Sequence, residues 1–226
     1  MPISMFIDIE TIPCQRPGIL DEIRADIQPP GNITKPESIA KWMEENSAAK
    51  VDELYRKTGL DGTLGKIVCV GFAVHDYTVG SITRHISESE GDLLQNFFDT
   101  VDAKTGRLTS FKFIGHNVIN FDLRFIFQRA VILGVKPSFH LPHDVRYNGD
   151  MVYDTMLAWA GWGNRISLKK LCSALGIPVK TGGIDGSQVW DYVQQGKYLE
   201  IADYCREDVE AVRTIYRRLT FAGGAA

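Results

Sequence analysis

The sequence predicts an α/β fold, a mixed β-sheet flanked by α-helices. Three observations carry that expectation. An apolar stretch broken by two acids, "FIDIET", opens the chain as a strand. Two further apolar runs, "GKIVCVGFAVHD" and "SITRHIS", read as a hairpin. After them, short apolar runs alternate with segments of helical period. Early strands then pair as a meander, while later strands arrive through helices, which makes the sheet mixed.

The elements follow in order. Residues 3–10 form the first strand. Residues 28–65 begin with Pro29, Pro30 and Gly31 and continue through "PESIAKWMEENSAAKVDELYRKTG", a solvated helical insertion of mixed charge. The hairpin is followed by "SEGDLLQNFFDTV", a helix with Ser89 as its N-cap. "FKFIGHN" is a strand that leads into "VINFDLRFIFQRAVILGV", a helix with a continuous apolar face. "MVYDTMLAW" marks another strand or strand-to-helix passage. "SLKKLCSALGI" is a helix capped by Ser167 and ended by Gly176. "YLEIADYCREDVEAVRTIYRRL" is a long amphipathic helix. One domain over residues 1–221 is expected, with a disordered tail at 222–226.

With 44% hydrophobic and 23% charged residues, the chain has the composition of an ordinary globular domain. A net charge of −3 carries no bulk basic field for nucleic acid, although a local groove and bound cations can supply one. The four cysteines form no C-x-x-C pair, which argues for a reduced cytoplasmic chain rather than a disulfide framework or a zinc site. No basic stretch followed by an apolar run suggests a signal peptide. No run reaches the ~18 apolar residues that cross a bilayer, so no membrane is expected as a partner.

The acids carry the chemistry. Strand side chains alternate faces, so Asp8 and Glu10 point the same way, about 6.6 Å apart at ~3.3 Å per residue. Met5, Ile7 and Ile9 point to the other face. Alone, the pair also suits solvated acids at a core edge. Asp122 stands near the start of an apolar helix, where it suits the helix dipole. Dipole capping does not explain Asn117 and Asn120 at the same strand-to-helix junction, a place where α/β folds bind substrates. Tyr204 and Asp208 are four apart and share a helix face. Alone, Tyr204 also suits an amphipathic border position. Together, four carboxylates would repel and raise one another's pKa values unless cations neutralise them. Hard divalent ions with oxygen ligands do so. Two of them about 4 Å apart can clamp an in-line phosphoryl displacement.

The order of these residues resembles the DEDD superfamily of 3′–5′ exonucleases, which has a ribonuclease H-like fold. "FIDIET", "NVINFD" and "YCRED" match its three motifs. Tyr204, four before Asp208, points to the DEDDy branch; the DEDDh branch would need a histidine where Asp203 stands. The wording "GHNVINFDL" and "YCREDV" is similar to the proofreading domain of family B DNA polymerases, and above all to stand-alone exonucleases related to it. The resemblance spans about residues 3–220, and the insertion at 28–65 lies outside its pattern.

The resemblance implies that Asp8, Glu10, Asp122 and Asp208 hold two Mg²⁺ or Mn²⁺ ions. Tyr204 would orient the attacking water rather than act as a strong base, since its free pKa is about 10. Single-stranded DNA is the favoured substrate, with release of nucleoside 5′-monophosphates from the 3′ end. An exoribonuclease and a non-catalytic single-strand-binding module are the alternatives. Thr11 would approach the terminal 3′-hydroxyl, and Asn117 matches the asparagine of the second motif. Arg124, Arg165, Lys169, Lys170 and Lys180 are candidates for phosphate contacts, against the alternative of plain surface charge. Trp162, flanked by glycines in "GWGNR", is the better stacking candidate beside Trp159 and Phe121. Asp154 reads as a supporting or structural acid. His140 and His143 read as surface-loop residues. "TGGIDGS" lacks the P-loop lysine pattern and reads as a loop. The sequence names no protein partner.

Overall fold

The computed structural model describes residues 3–107, 110–178 and 184–222. Five strands form one sheet: β1 (Ile3–Ile12), β2 (Lys66–Val74), β3 (Gly80–Thr83), β4 (Phe111–Gly115) and β5 (Val152–Asp154). Their spatial order is β3-β2-β1-β4-β5. The pairs β1–β2 and β2–β3 are antiparallel, while β1–β4 and β4–β5 are parallel. The expected mixed sheet is therefore the observed one, and its oldest clue, the first strand, lies at its centre.

Eight α-helices surround it among the described residues: α1 (Ile19–Asp26), α2 (Pro36–Lys57), α3 (Glu90–Thr105), α4 (Asp122–Leu133), α5 (Thr155–Ala160), α6 (Leu168–Ala174), α7 (Val189–Gln194) and α8 (Tyr198–Leu219). The alternation of β1 sorts its neighbours. Met5, Ile7 and Ile9 enter a core with Leu93, Phe97 and Phe98 of α3 and Leu123 and Ile126 of α4. Phe6 points to the opposite face and packs with Val209 and Val212 of α8. Asp8 and Glu10 belong to that second face, and α8 is the helix that covers it.

Gly71 makes the close approach of α8 possible. It pairs with Asp8 across the β1–β2 ladder. A Cβ there would lie 2.7 Å from Cys205 Sγ and 3.0 Å from the Cys205 carbonyl oxygen. Any side chain at this position would push α8 off the sheet and away from Asp8.

Three local readings need correction. Residues 118–121 do not join the helix that begins at Asp122. Asn117 takes a left-handed φ of 66°, and the N–H groups of Asn117 and Ile119 go to the Asp154 carboxylate at 3.0 and 3.2 Å. That side-chain acceptor replaces the first helical turn. Residues 84–87 do not extend β3, because His85 N–H donates to Glu88 Oε2 at 2.7 Å and closes a local turn. Helix α1, absent from the sequence reading, starts after Gly18 at φ 82° and has a single fully buried side chain, Ile19.

Within 28–65, helix α2 buries a single residue, Val51. The far end of this segment, a 3₁₀ turn at Thr58–Leu60, docks against the end of β1. Thr58 Oγ1 accepts the Cys14 N–H at 2.8 Å, and a Cβ on Gly59 would meet the Ile12 carbonyl carbon at 3.0 Å. Arg56 also pairs with Asp191 of α7 at 2.7 Å. On the other side, the buried Glu90 and Arg129 form a two-point ion pair at 2.9 and 2.7 Å that joins α3 to α4. Glu90 also accepts the Ile67 N–H at 2.8 Å. Lys180, the start of the glycine-rich loop (181–183) and 223–226 of the expected tail lie outside the described residues. Among the described residues, no helix is long and apolar enough to cross a membrane.

Candidate active site

The five residues singled out from three distant motifs converge at one place. Asp8 and Glu10 come from the second face of β1. Asp122 is the first residue of α4. Tyr204 and Asp208 project from the first half of α8 toward the same strand. Asp8 feels the charges of both Asp122 and Asp208, and Glu10 those of Asp8, Asp208 and Asp122.

Three of the four carboxylates have a separate support. Asp122 Oδ1 accepts the Ile9 N–H at 3.0 Å. This is possible because the β1–β4 ladder stops at the Phe6–Ile114 pair, leaving the next N–H groups of β1 open. Asp8 is held by Cys205, whose thiol reaches the Asp8 backbone oxygen at 3.6 Å and Oδ2 at 3.5 Å. Tyr204 lies beside Asp208, and its hydroxyl offsets part of the burial of that carboxylate. Glu10 differs: it is only 5% exposed, and no hydrogen bond to its carboxylate comes from any described residue.

Burial first, and mutual repulsion second, push Asp8 and Glu10 well above the usual carboxylate range. Asp122 is raised to about 7, chiefly by burial, against the lowering effect of backbone N–H groups including that of Ile9. Burial also lifts Asp208 to about 6, with the Tyr204 hydroxyl acting in the other direction. Tyr204 itself is pushed up by burial and by the charges of Asp208, Glu10 and Asp8, so it stays protonated.

Such a set fits a hard cation. Four oxygen donors are gathered at a charge cost that a divalent ion would remove, and no described residue donates a hydrogen bond to the Glu10 side chain. The closest donor group is Asp8, Glu10 and Cys205, whose ligand atoms lie within 4.8 Å of one another. Asp122 and Asp208 stand just outside that group.

The remaining candidates are placed unequally. Lys169 lines a cleft of about 630 Å³ together with Cys172, Ile184, Tyr204, Asp208 and Arg218. Thr11 follows a bulge after Glu10, and its hydroxyl donates to the Gly59 carbonyl at 2.7 Å. Asn117 sits in the turn before Asp122 and receives a 3.5 Å contact from Asn120 Nδ2. Trp162 is 76% exposed between Gly161 and Gly163, both at positive φ. Phe121 packs on Phe125, and His143 stacks on Phe127. Arg124, Arg165 and Lys170 are exposed.

Two supporting residues carry more than the sequence suggested. Asp154 is fully buried and accepts four backbone N–H groups, from Asn117, Ile119, Met156 and Leu157. It caps α5 and shapes the turn that delivers Asp122. Cys205 was not singled out. Its signal was its position three before Asp208 on the buried side of α8.

Comparison with known proteins gives a family and a fold. A family model described as "Predicted 3'-5' exonuclease related to the exonuclease domain of PolB" matches residues 60–225. A similar solved structure is the family B DNA polymerase from the hyperthermophilic archaeon Pyrobaculum calidifontis, with a TM-score of 0.58 and 13% identity. The match covers 97% of this chain and 25% of the polymerase, so the chain spans about a quarter of that protein's length. The likeness is one of fold, the ribonuclease H-like mixed sheet. No curated protein matches significantly.

Proposed function

Since the chain belongs to the family of predicted 3′–5′ exonucleases related to the exonuclease domain of PolB, we propose that it removes nucleotides one at a time from the 3′ end of single-stranded DNA in a metal-dependent reaction. The observation that carries this reading is the convergence of Asp8, Glu10, Asp122 and Asp208 with Tyr204. Glu10 and Asp122 are buried and Asp8 and Asp208 half-buried, and carboxylates that raise one another's pKa are poorly suited to a solvated surface or a plain binding module. They suit cations.

Asp8, Glu10, Asp122 and Asp208 would hold two Mg²⁺ or Mn²⁺ ions. When bound, such ions supply a water nucleophile at neutral pH and stabilise charge on the leaving 3′-oxygen. The chain's own residues do the rest. Asp122 stays fixed to β1 through Ile9, so its carboxylate keeps one orientation. Tyr204, protonated, directs the attacking water through its hydroxyl. Lys169 meets a phosphate at the cleft mouth, and Trp162 stacks on an unpaired base. Thr11 and Asn117 border the terminal nucleotide. The domain covers 1–221, with 28–65 as an insertion, and the four free cysteines support a reducing compartment such as the cytoplasm.

Rates on matched single-stranded DNA, duplex DNA and RNA with Mg²⁺ test the substrate. Fastest loss of single-stranded DNA, with nucleoside 5′-monophosphates as product, supports the proposal. Faster loss of RNA replaces it with an exoribonuclease, and tight binding without turnover with a binding module.

A further inference from the structure

The donor group closest together in the site contains a sulfur. Asp8, Glu10 and Cys205 offer ligand atoms within 4.8 Å of one another. Cys205 is 0% exposed and held in place by the gap that Gly71 leaves open. Its Sγ stands 3.5 Å from Asp8 Oδ2. Around a tetrahedral ion with a ~2.1 Å metal–oxygen and a ~2.3 Å metal–sulfur bond, the two donors would be about 3.6 Å apart. Glu10, nine-tenths buried and without a hydrogen bond from any described residue, points its carboxylate into the same group.

We infer that Cys205 is a third, soft donor to an ion held by Asp8 and Glu10, so that thiophilic cations such as Cd²⁺, Zn²⁺ and Co²⁺ bind through sulfur where Mg²⁺ does not. The inference rests on the metal-dependent reading of this site. Mg²⁺ prefers oxygen and leaves the thiol protonated, donating to Asp8. A softer cation takes the sulfur as a ligand: the S–H bond breaks, a metal–sulfur bond forms, and the proton leaves to solvent. Such an ion would be held more tightly by the wild-type site than by one without the thiol. Thiophilic metals would therefore compete with Mg²⁺ for Asp8 and Glu10.

The test uses the full chain, stripped of metal. Co²⁺ is titrated while the near-ultraviolet thiolate-to-metal band is followed. Cd²⁺ and Mg²⁺ affinities are measured by calorimetry. Wild type is compared with Cys205→Ser, Cys205→Ala and the remote Cys14→Ser. The Co²⁺ band is expected in wild type and Cys14→Ser and absent from both Cys205 variants. Cd²⁺ affinity is expected to fall about 10- to 100-fold in those variants, the scale on which lost partners at metal sites weaken binding. Retained Mg²⁺ binding reports that they fold. A Co²⁺ band that survives in Cys205→Ser, or an unchanged Cd²⁺ affinity, overturns the inference. Cys205-dependent Cd²⁺ binding in a chain that hydrolyses no nucleic acid with Mg²⁺ supports it while overturning the exonuclease reading.

Discussion

Asp122 accepts the backbone N–H of Ile9 at 3.0 Å. Ile9 lies between Asp8 and Glu10, so one hydrogen bond ties the first residue of α4 to the strand that carries the acid pair. The contact replaces a sheet bond that β4 is too short to make. It fixes one Asp122 oxygen beside the acid pair.

Asp122→Asn separates these two roles. The amide oxygen can still accept from Ile9, so the fold should persist. The charge is lost. Hydrolysis should drop more than about 100-fold, beyond the 10- to 100-fold cost of changes outside the metal ligands. Circular dichroism and Mg²⁺ titration check both halves. Near-normal activity in Asp122→Asn would remove Asp122 from the metal set.

Asp122 titrates at about 7 and Asp208 at about 6 in the folded, metal-free chain, against about 3.9 when unfolded. Between those values the folded state binds more protons than the unfolded one. Their contribution to stability is thus full below about pH 4 and lost as pH rises toward about 7. His116 is shifted the opposite way by burial, so the comparison must isolate Asp122. The melting temperature of metal-free wild type, relative to Asp122→Asn, should fall by several degrees from about pH 5 to pH 8. Mg²⁺ should stabilise wild type more at the upper end, where the ligands are ionised.

Tyr204→Phe removes one hydroxyl beside Asp208. A hydrogen bond to a charged group is worth about 1.5–3 kcal/mol, or roughly 10- to 100-fold in rate when it acts on the reacting water. The prediction is a loss of kcat on that scale with little change in KM. An equal loss in both, or none, would make Tyr204 a packing residue.

Arg129→Ala should separate stability from catalysis. It leaves Glu90 buried without its cation between α3 and α4, on the sheet face opposite Asp8 and Glu10. Urea unfolding should show a loss of about 3–5 kcal/mol. Activity per folded molecule should stay near wild type at low temperature.

The parts of this architecture legible in the sequence are those governed by short-range pattern. Strand alternation put Asp8 and Glu10 on one face and Ile7 and Ile9 on the other, and the structure keeps that division. Ser89 and Ser167 cap the helices they were expected to cap. What escaped depends on distant partners. The turn at 116–121 is set by Asp154, 35 residues beyond the Ile119 N–H it accepts. Cys205 gains its place only because Gly71, on another strand, lets α8 close on Asp8. Helix α1 is only eight residues long and starts after Gly18 with no capping side chain, so no cap marks its start.

The central claim, that the five converging residues form a metal-dependent site acting at 3′ ends, has one direct measurement. A single-stranded DNA oligonucleotide labelled at its 3′-terminal nucleotide is incubated with Mg²⁺, and label release is timed for wild type and Asp8→Asn. The account predicts prompt release of labelled mononucleotide by wild type, stopped by chelator and nearly absent in Asp8→Asn. Release that continues in chelator, or an Asp8→Asn chain as fast as wild type, would contradict it.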